Sequence, residues 1–168
     1  MKKHFILSLT TTLALLIAIT ACAQKPNKLT GKEKKAVWLL LFNGKDLTGW
    51  RQYNKTEMPK NWTIEDNTMK IFTGEGRKPG QGSGGDIIYA TKQFKNFELS
   101  LDWKASEMAN SGIFYSVKEV PDRSFTSAAP EVQILDNVKA TDNKIDSHLA
   151  GSLYDMLPAD PKTVKPAG

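Results

Sequence analysis

Cysteine is nearly absent: Cys22 is the only one in 168 residues. A lone thiol excludes an internal disulfide, so packing and hydrogen bonds must hold the fold. Histidine is almost as scarce. Outside the N-terminal segment, which holds His4, the chain offers His148 alone as an imidazole that titrates near neutral pH. No stretch keeps a helical apolar period over three turns. No basic stripe interleaved with aromatics appears either, which excludes nucleic acid as a partner. The formal charge is +5, and without Lys2 and Lys3 it falls to +3, with 21 basic against 18 acidic side chains. Part of that excess sits between Lys25 and Lys35, on a tether rather than a face.

What is present begins with an export signal. Lys2, Lys3 and His4 precede an apolar run from Phe5 to Ile19, followed by the small residues Thr20-Ala21-Cys22-Ala23. This is the layout of a secretory signal peptide, too short to be a stable membrane span. Two cleavage readings stand. Ile19-Thr20-Ala21-Cys22 resembles a bacterial lipobox, which would leave Cys22 lipidated. Ala21-Cys22-Ala23 fits the small-x-small rule of ordinary signal peptidase, which would discard it. Residues 1–23 are therefore expected to be a signal peptide, and the protein to be exported, periplasmic or an outer-membrane lipoprotein. Contact with membrane is expected only through that lipid.

Gln24 to Lys35, with five lysines, a proline and a glycine, reads as a flexible linker. The rest, 40% hydrophobic and 24% charged over the whole chain, suits one globular domain over residues 36–168. The apolar run Val37 to Phe42 predicts a strand buried on both sides, and Asn43-Gly44 a tight turn. Trp62-Thr63-Ile64 and Met69-Lys70-Ile71 alternate around Glu65-Asp66-Asn67, a hairpin signal. Gly80 to Gly85 spells GxGxxG, but strand-like Asp86-Ile87-Ile88-Tyr89 follows it, so no helix N-terminus is offered to a phosphate.

From Phe97 to Lys104 every odd residue is apolar and every even one polar, the mark of a half-buried strand. Across the turn at Ala105–Ala109, Asn110-Ser111-Gly112 leads into Ile113 to Val117. This predicts a second strand paired to the first, with a ligand or backbone close to its entrance. Glu131 to Asp136 alternates again, with Glu131 and Gln133 facing a ligand or water and Val132 and Ile134 facing the core. Trp62 and Trp103 fall on apolar phases and are expected in the core. Asn137 to Leu149 is polar and irregular and holds Asp142, Asp146 and His148. Gly151 to Asp155 reads as a short strand. Many short strands with glycine and proline turns predict an all-β antiparallel sandwich. Such a sandwich usually needs about 200 residues, so C-terminal strands are expected to be missing.

Six motifs in order carry a resemblance. They are Phe42-Asn43-Gly44-Lys45-Asp46-Leu47-Thr48-Gly49-Trp50, Gly85-Asp86-Ile87-Ile88, Phe97-Glu98-Leu99, Asn110-Ser111-Gly112-Ile113-Phe114-Tyr115, Pro130-Glu131-Val132-Gln133-Ile134-Leu135-Asp136-Asn137 and Gly151-Ser152-Leu153-Tyr154-Asp155. Together the chain resembles the 3-keto-disaccharide hydrolases, also described as 3-keto-glucoside 1,2-lyase/3-keto-2-hydroxyglucal hydratase. The resemblance implies a concanavalin-like jelly roll and a 3-keto-glycoside or oligosaccharide substrate.

A C3 ketone acidifies the C2 hydrogen, so such chemistry needs a base, enolate stabilisation and an acid for the leaving oxygen. His148 is the base candidate by its ordinary pKa, with Glu131 as the alternative, and Tyr154 is a candidate proton donor or ring platform. The plain structural alternatives are an exposed loop histidine, a solvated glutamate and a core tyrosine. Asn110, Gln133 and Asp136 are candidate sugar-binding groups, since amides both donate and accept; Asp136-Asn137 also reads as a plain turn. A divalent cation on Glu131, Asp146 and His148 is compatible with enolate chemistry, though no spacing requires it. The paired acids of ordinary retaining glucanases are absent, which disfavours double displacement. The rival expectations are a non-catalytic, lectin-like carbohydrate-binding module and a purely structural envelope lipoprotein.

Overall fold

The computed structural model describes residues 25–71, 85–124, 126 and 129–168. The signal segment, Cys22 and most of the glycine-rich run, including Gly80-Gln81-Gly82-Ser83-Gly84, lie outside the described residues. The strands are β1 Trp50–Gln52, β2 Trp62–Glu65, β3 Thr68–Ile71, β4 Ile87–Tyr89, β5 Asn110–Phe114 and β6 Glu131–Leu135. They form three antiparallel ribbons, β1 with β4, β2 with β3 and β5 with β6. Among the described residues the named helical elements are one turn, α1 Gly31–Lys35, and two short 3-10 turns at Asp146–His148 and Pro161–Thr163.

The β2–β3 hairpin follows from local chemistry. Trp62 pairs with Ile71 and Glu65 with Thr68, and the two connecting residues take positive φ, 49° at Asp66 and 60° at Asn67. That is the primed turn whose twist matches two paired strands, and Asp and Asn are among the side chains that tolerate it. Trp62 donates its indole N–H to the Gly85 carbonyl, tying the hairpin to the start of β4.

Four expectations are corrected. The linker ends in α1, where Thr30 Oγ1 accepts from Glu33 N at 3.2 Å and Glu33 Oε2 accepts from Thr30 N at 2.6 Å. This capping box satisfies two backbone donors that a helix start otherwise leaves unpaired. Val37 to Phe42 is no buried strand. Val37 is 87% exposed with φ 61°, and no strand pairs with the run among the described residues. Phe97–Lys104 forms no strand either; Phe97, Leu99, Leu101 and Trp103 are all exposed, so Trp103 is not core.

The fourth correction concerns β5 and β6. The partner of β5 is β6, with Asn110 opposite Leu135 and Phe114 opposite Glu131. Asp136 N–H already bonds the Ala109 carbonyl at 2.9 Å, so the ladder starts before Asn110 and leaves no room for a tight hairpin back onto residue 104. The more buried face of β6 is the one expected to face ligand: Gln133 and Leu135 are buried, whereas Val132 and Ile134 are only half-buried. The reason is that residues 136–164 fold back over that face. Leu135 packs there with Ala140, Ala150 and Val164.

The far edge of β6 is lined by residues 151–154, which form a turn with bridges at Leu153 rather than the short strand expected over Gly151 to Asp155. Gly151 N–H bonds Gln133 O at 2.8 Å, Gln133 N–H bonds Ser152 O at 3.0 Å, and Tyr154 N–H bonds Glu131 O at 2.9 Å. Val132 bridges Leu153 antiparallel. Phe114, Glu131 and Tyr154 therefore stand abreast across three neighbouring chain segments.

Candidate active site

That row opens onto a cavity of about 470 Å³ whose walls include Asn110, Phe114, Glu131, Gln133, Asp142, Tyr154 and Asp155. The register explains the grouping. Residues directly opposite in an antiparallel pair share a face, so Asn110, Phe114, Glu131 and Gln133 all project to the side covered by the 136–155 return. Four of the six residues singled out from sequence, Asn110, Gln133, Glu131 and Tyr154, meet at one cavity.

Glu131 is half-buried, and its carboxyl is raised from the usual carboxylate range to about 7, first by burial and then by the nearby Asp142 charge. Desolvation penalises the ionised form, and a like charge adds to the penalty. A carboxylate with that value exchanges protons at neutral pH, which makes it a competent general base. The solvated-face alternative is therefore set aside.

His148 is placed differently from the expectation. Nδ1 lies 2.8 Å from Asp142 Oδ1 and Nε2 lies 2.6 Å from Asp155 Oδ1. Two carboxylate acceptors call for two N–H donors, which is the imidazolium form. Its pKa is raised, chiefly by the bond to Asp155 and next by that to Asp142. The ring is 7% exposed and stacks on Tyr154 with centroids 4.1 Å apart. Both nitrogens are engaged and the ring lies behind the cavity wall, so His148 is a clamp between two acids rather than a free base.

Tyr154 donates its hydroxyl to Asp142 Oδ2 at 3.1 Å. Burial, then that acceptor, push the phenol up to about 12. It therefore stays protonated, with its one proton directed at Asp142 beside the cavity. Gln133 is 1% exposed, and its carboxamide oxygen accepts from Ile134 N at 3.0 Å, which fixes the orientation of the amide.

Asp136 stands apart from this group. Its carboxylate accepts from Met108 N at 2.8 Å and Val138 N at 3.0 Å, and these amide donors, Met108 foremost, hold its pKa down. It closes the turn after β6 and does not line the cavity, so the turn reading holds over the sugar-binding one. The metal set is likewise not assembled: among the described residues no three His, Cys, Asp or Glu side chains are placed to hold an ion. The nitrogens of His148 already serve Asp142 and Asp155.

Asp142 and Asp155 are site residues that sequence reasoning did not single out. Asp142 lies in an irregular loop with no period to read, and Asp155 takes φ 58° just past the paired segment. Spacing alone could not reveal either; the only sign was the density of acids around His148.

The architecture matches a crystal structure of a Parabacteroides distasonis protein described as a glycosyl hydrolase. The TM-score is 0.71 at 33% identity, covering 84% of this chain and 64% of that one. The likeness bears out the all-β, jelly-roll-like class. A curated Bacteroides thetaiotaomicron relative named 3-keto-disaccharide hydrolase is 42% identical, with 78% of this chain aligned to 49% of that protein. The chain thus spans about half the length of that relative. The family model for the 3-keto-alpha-glucoside-1,2-lyase-like domain matches residues 37–168, and with the motifs and the cavity this places the chain in that family.

Proposed function

We propose that the protein is an exported carbohydrate-active enzyme that cleaves 3-keto-glycosides by β-elimination and rehydration. The observation that carries this reading is Glu131, a carboxylate at the cavity wall with its pKa raised to about 7. Its ionised form takes the C2 proton, and the C2–H electron pair moves into the C3 carbonyl to form the C2=C3 enolate. The C1–O bond then breaks toward the leaving oxygen, which is protonated to free the aglycone. Water adding across C1=C2 gives the 3-keto sugar, so the net change is hydrolysis.

Tyr154 supplies a donor for the leaving or enolate oxygen once its hydroxyl turns from Asp142 to the substrate, and Asn110 and Gln133 offer amides to sugar hydroxyls. The His148 cation behind Tyr154 offsets the charges of Asp142 and Asp155, so that a further negative charge can form on the substrate. The names of the relatives and the family support the substrate class. Export rests on the N-terminal apolar run and lipidation on Cys22. Mass spectrometry of the mature N-terminus is expected to find a lipidated Cys22.

The test is aglycone release from a 3-keto-glucoside by the whole protein. Glu131→Ala is expected to lose roughly 10²- to 10⁴-fold in rate, the usual share of a general base. The wild-type protein is expected to exchange the C2 hydrogen with solvent deuterium. Release that survives Glu131→Ala would refute the base; sugar binding without release would point to the lectin-like module instead.

A further inference from the structure

Gly112 pairs with Gln133 across the β5–β6 ladder, two rungs from the Phe114–Glu131 pair and on the same face. Its backbone does not call for glycine, since it is not among the residues with positive φ. Glycine inside a strand weakens it and often marks a close approach. What approaches here is Glu131. A Cβ added at Gly112 would overlap Glu131 Oε1 and stand 2.6 Å from its Cδ and 2.7 Å from its Cγ. The glutamate therefore leans diagonally across the ribbon and rests its carboxylate on bare backbone, a place that no side chain at residue 112 leaves free.

We propose that Gly112 is a positioning residue: its missing side chain is the seat that aims the Glu131 carboxylate into the cavity. The inference rests on Glu131 acting on substrate, and it adds the element that sets where that carboxylate stands. Even alanine at 112 would displace the carboxylate. Misplacement by about 1 Å can cost on the order of 100-fold in rate.

The experiment measures kcat and KM of the whole protein with a 3-keto-glucoside for Gly112→Ala, Glu131→Asp, Glu131→Ala and the two double variants. Gly112→Ala is expected to lower kcat by roughly 10- to 100-fold with KM changed by less than about threefold. In the Glu131→Asp background, where the side chain is one methylene shorter, the same change is expected to cost much less, because contacting residues are not additive. If Gly112→Ala alone fails to fold, Gly112→Ala/Glu131→Ala is expected to fold and melt like Glu131→Ala, since the clash is gone.

The proposal is overturned if Gly112→Ala keeps the wild-type kcat, or loses the same factor in both backgrounds. It is equally overturned if the double variant with Glu131→Ala also misfolds, which would make glycine a backbone need. A Glu131→Ala variant at full rate would instead remove the base itself, an outcome separable from all of these.

Discussion

Residues 97–104 and 131–136 carry the same alternation of apolar and polar side chains, yet only the second stretch is a strand. Glu131–Leu135 has ladder partners on both edges, β5 on one side and residues 151–154 on the other. Phe97–Lys104 pairs with no strand among the described residues, and its apolar side chains stay exposed. Alternation states which face a strand would bury; it does not supply the partner whose N–H and C=O groups make the strand. Phe97 makes a local contact, its ring 6.2 Å from that of Phe94. The comparison also explains why the site assembled at β6. A central segment flanked on two sides can hold Glu131 between Phe114 and Tyr154, whereas an unpaired segment holds nothing in register.

The contrast can be broken most directly by truncation. Leu135→Ala removes a buried side chain packed on Ala140, Ala150 and Val164 and should cost about 2–5 kcal/mol of unfolding free energy, measured by denaturant titration. Leu99→Ala, at a position 43% exposed, should stay within about 0.5 kcal/mol. Equal costs would show that a further segment covers residues 97–103.

The second test concerns the clamp over β6. His148→Asn removes two bonds to carboxylates and should lower stability by about 1–3 kcal/mol. The sign of the pH effect follows from the raised His148 pKa. Its stabilisation is complete below the unfolded value near 6.5 and is lost as pH rises through the higher folded value. Glu131 acts in the same direction: its neutral form is favoured in the fold, so its contribution is complete below 4.5 and lost through about 7. Thermal melts of the wild-type protein should therefore decline from mildly acidic to mildly alkaline pH, and His148→Asn should flatten that decline. A variant melting like wild type across this range would remove the clamp.

The smallest effect is on the pH profile. With Glu131 as the proposed base, kcat/KM should rise with pH through about 7. Asp142 is the lesser of the two causes of that raised value, so Asp142→Asn should move the acid limb toward lower pH by less than about one unit. A limb that stays in place, or moves upward, would sever the link between the β6 carboxylate and the loop that covers it.

Much of the site was legible before the fold. Glu131 and Gln133 share a face because a strand alternates, and Tyr154 belongs to a short apolar segment with strand character. The hairpin at Asp66-Asn67 was legible too, because its turn residues act on their own backbone. The capping box at Thr30 and Glu33 follows an equally local rule, but the surrounding lysines masked it. The roles of His148, Asp142 and Asp155 were not legible, since three residues in an irregular loop and past a strand end meet only when the return folds over β6.

Sequence by itself therefore determined the all-β class, the hairpin, the facing of Glu131 with Gln133 and, through ordered motifs, the family. Each depends on contacts within a few residues or on a pattern along the chain. Tertiary structure decided which alternating stretch found partners, which face of β6 was buried, and that Glu131 rests on Gly112 while His148 is held between two acids. Those outcomes depend on pairing between distant segments, where closure of the ladder and desolvation select one arrangement from several that local periodicity permits equally.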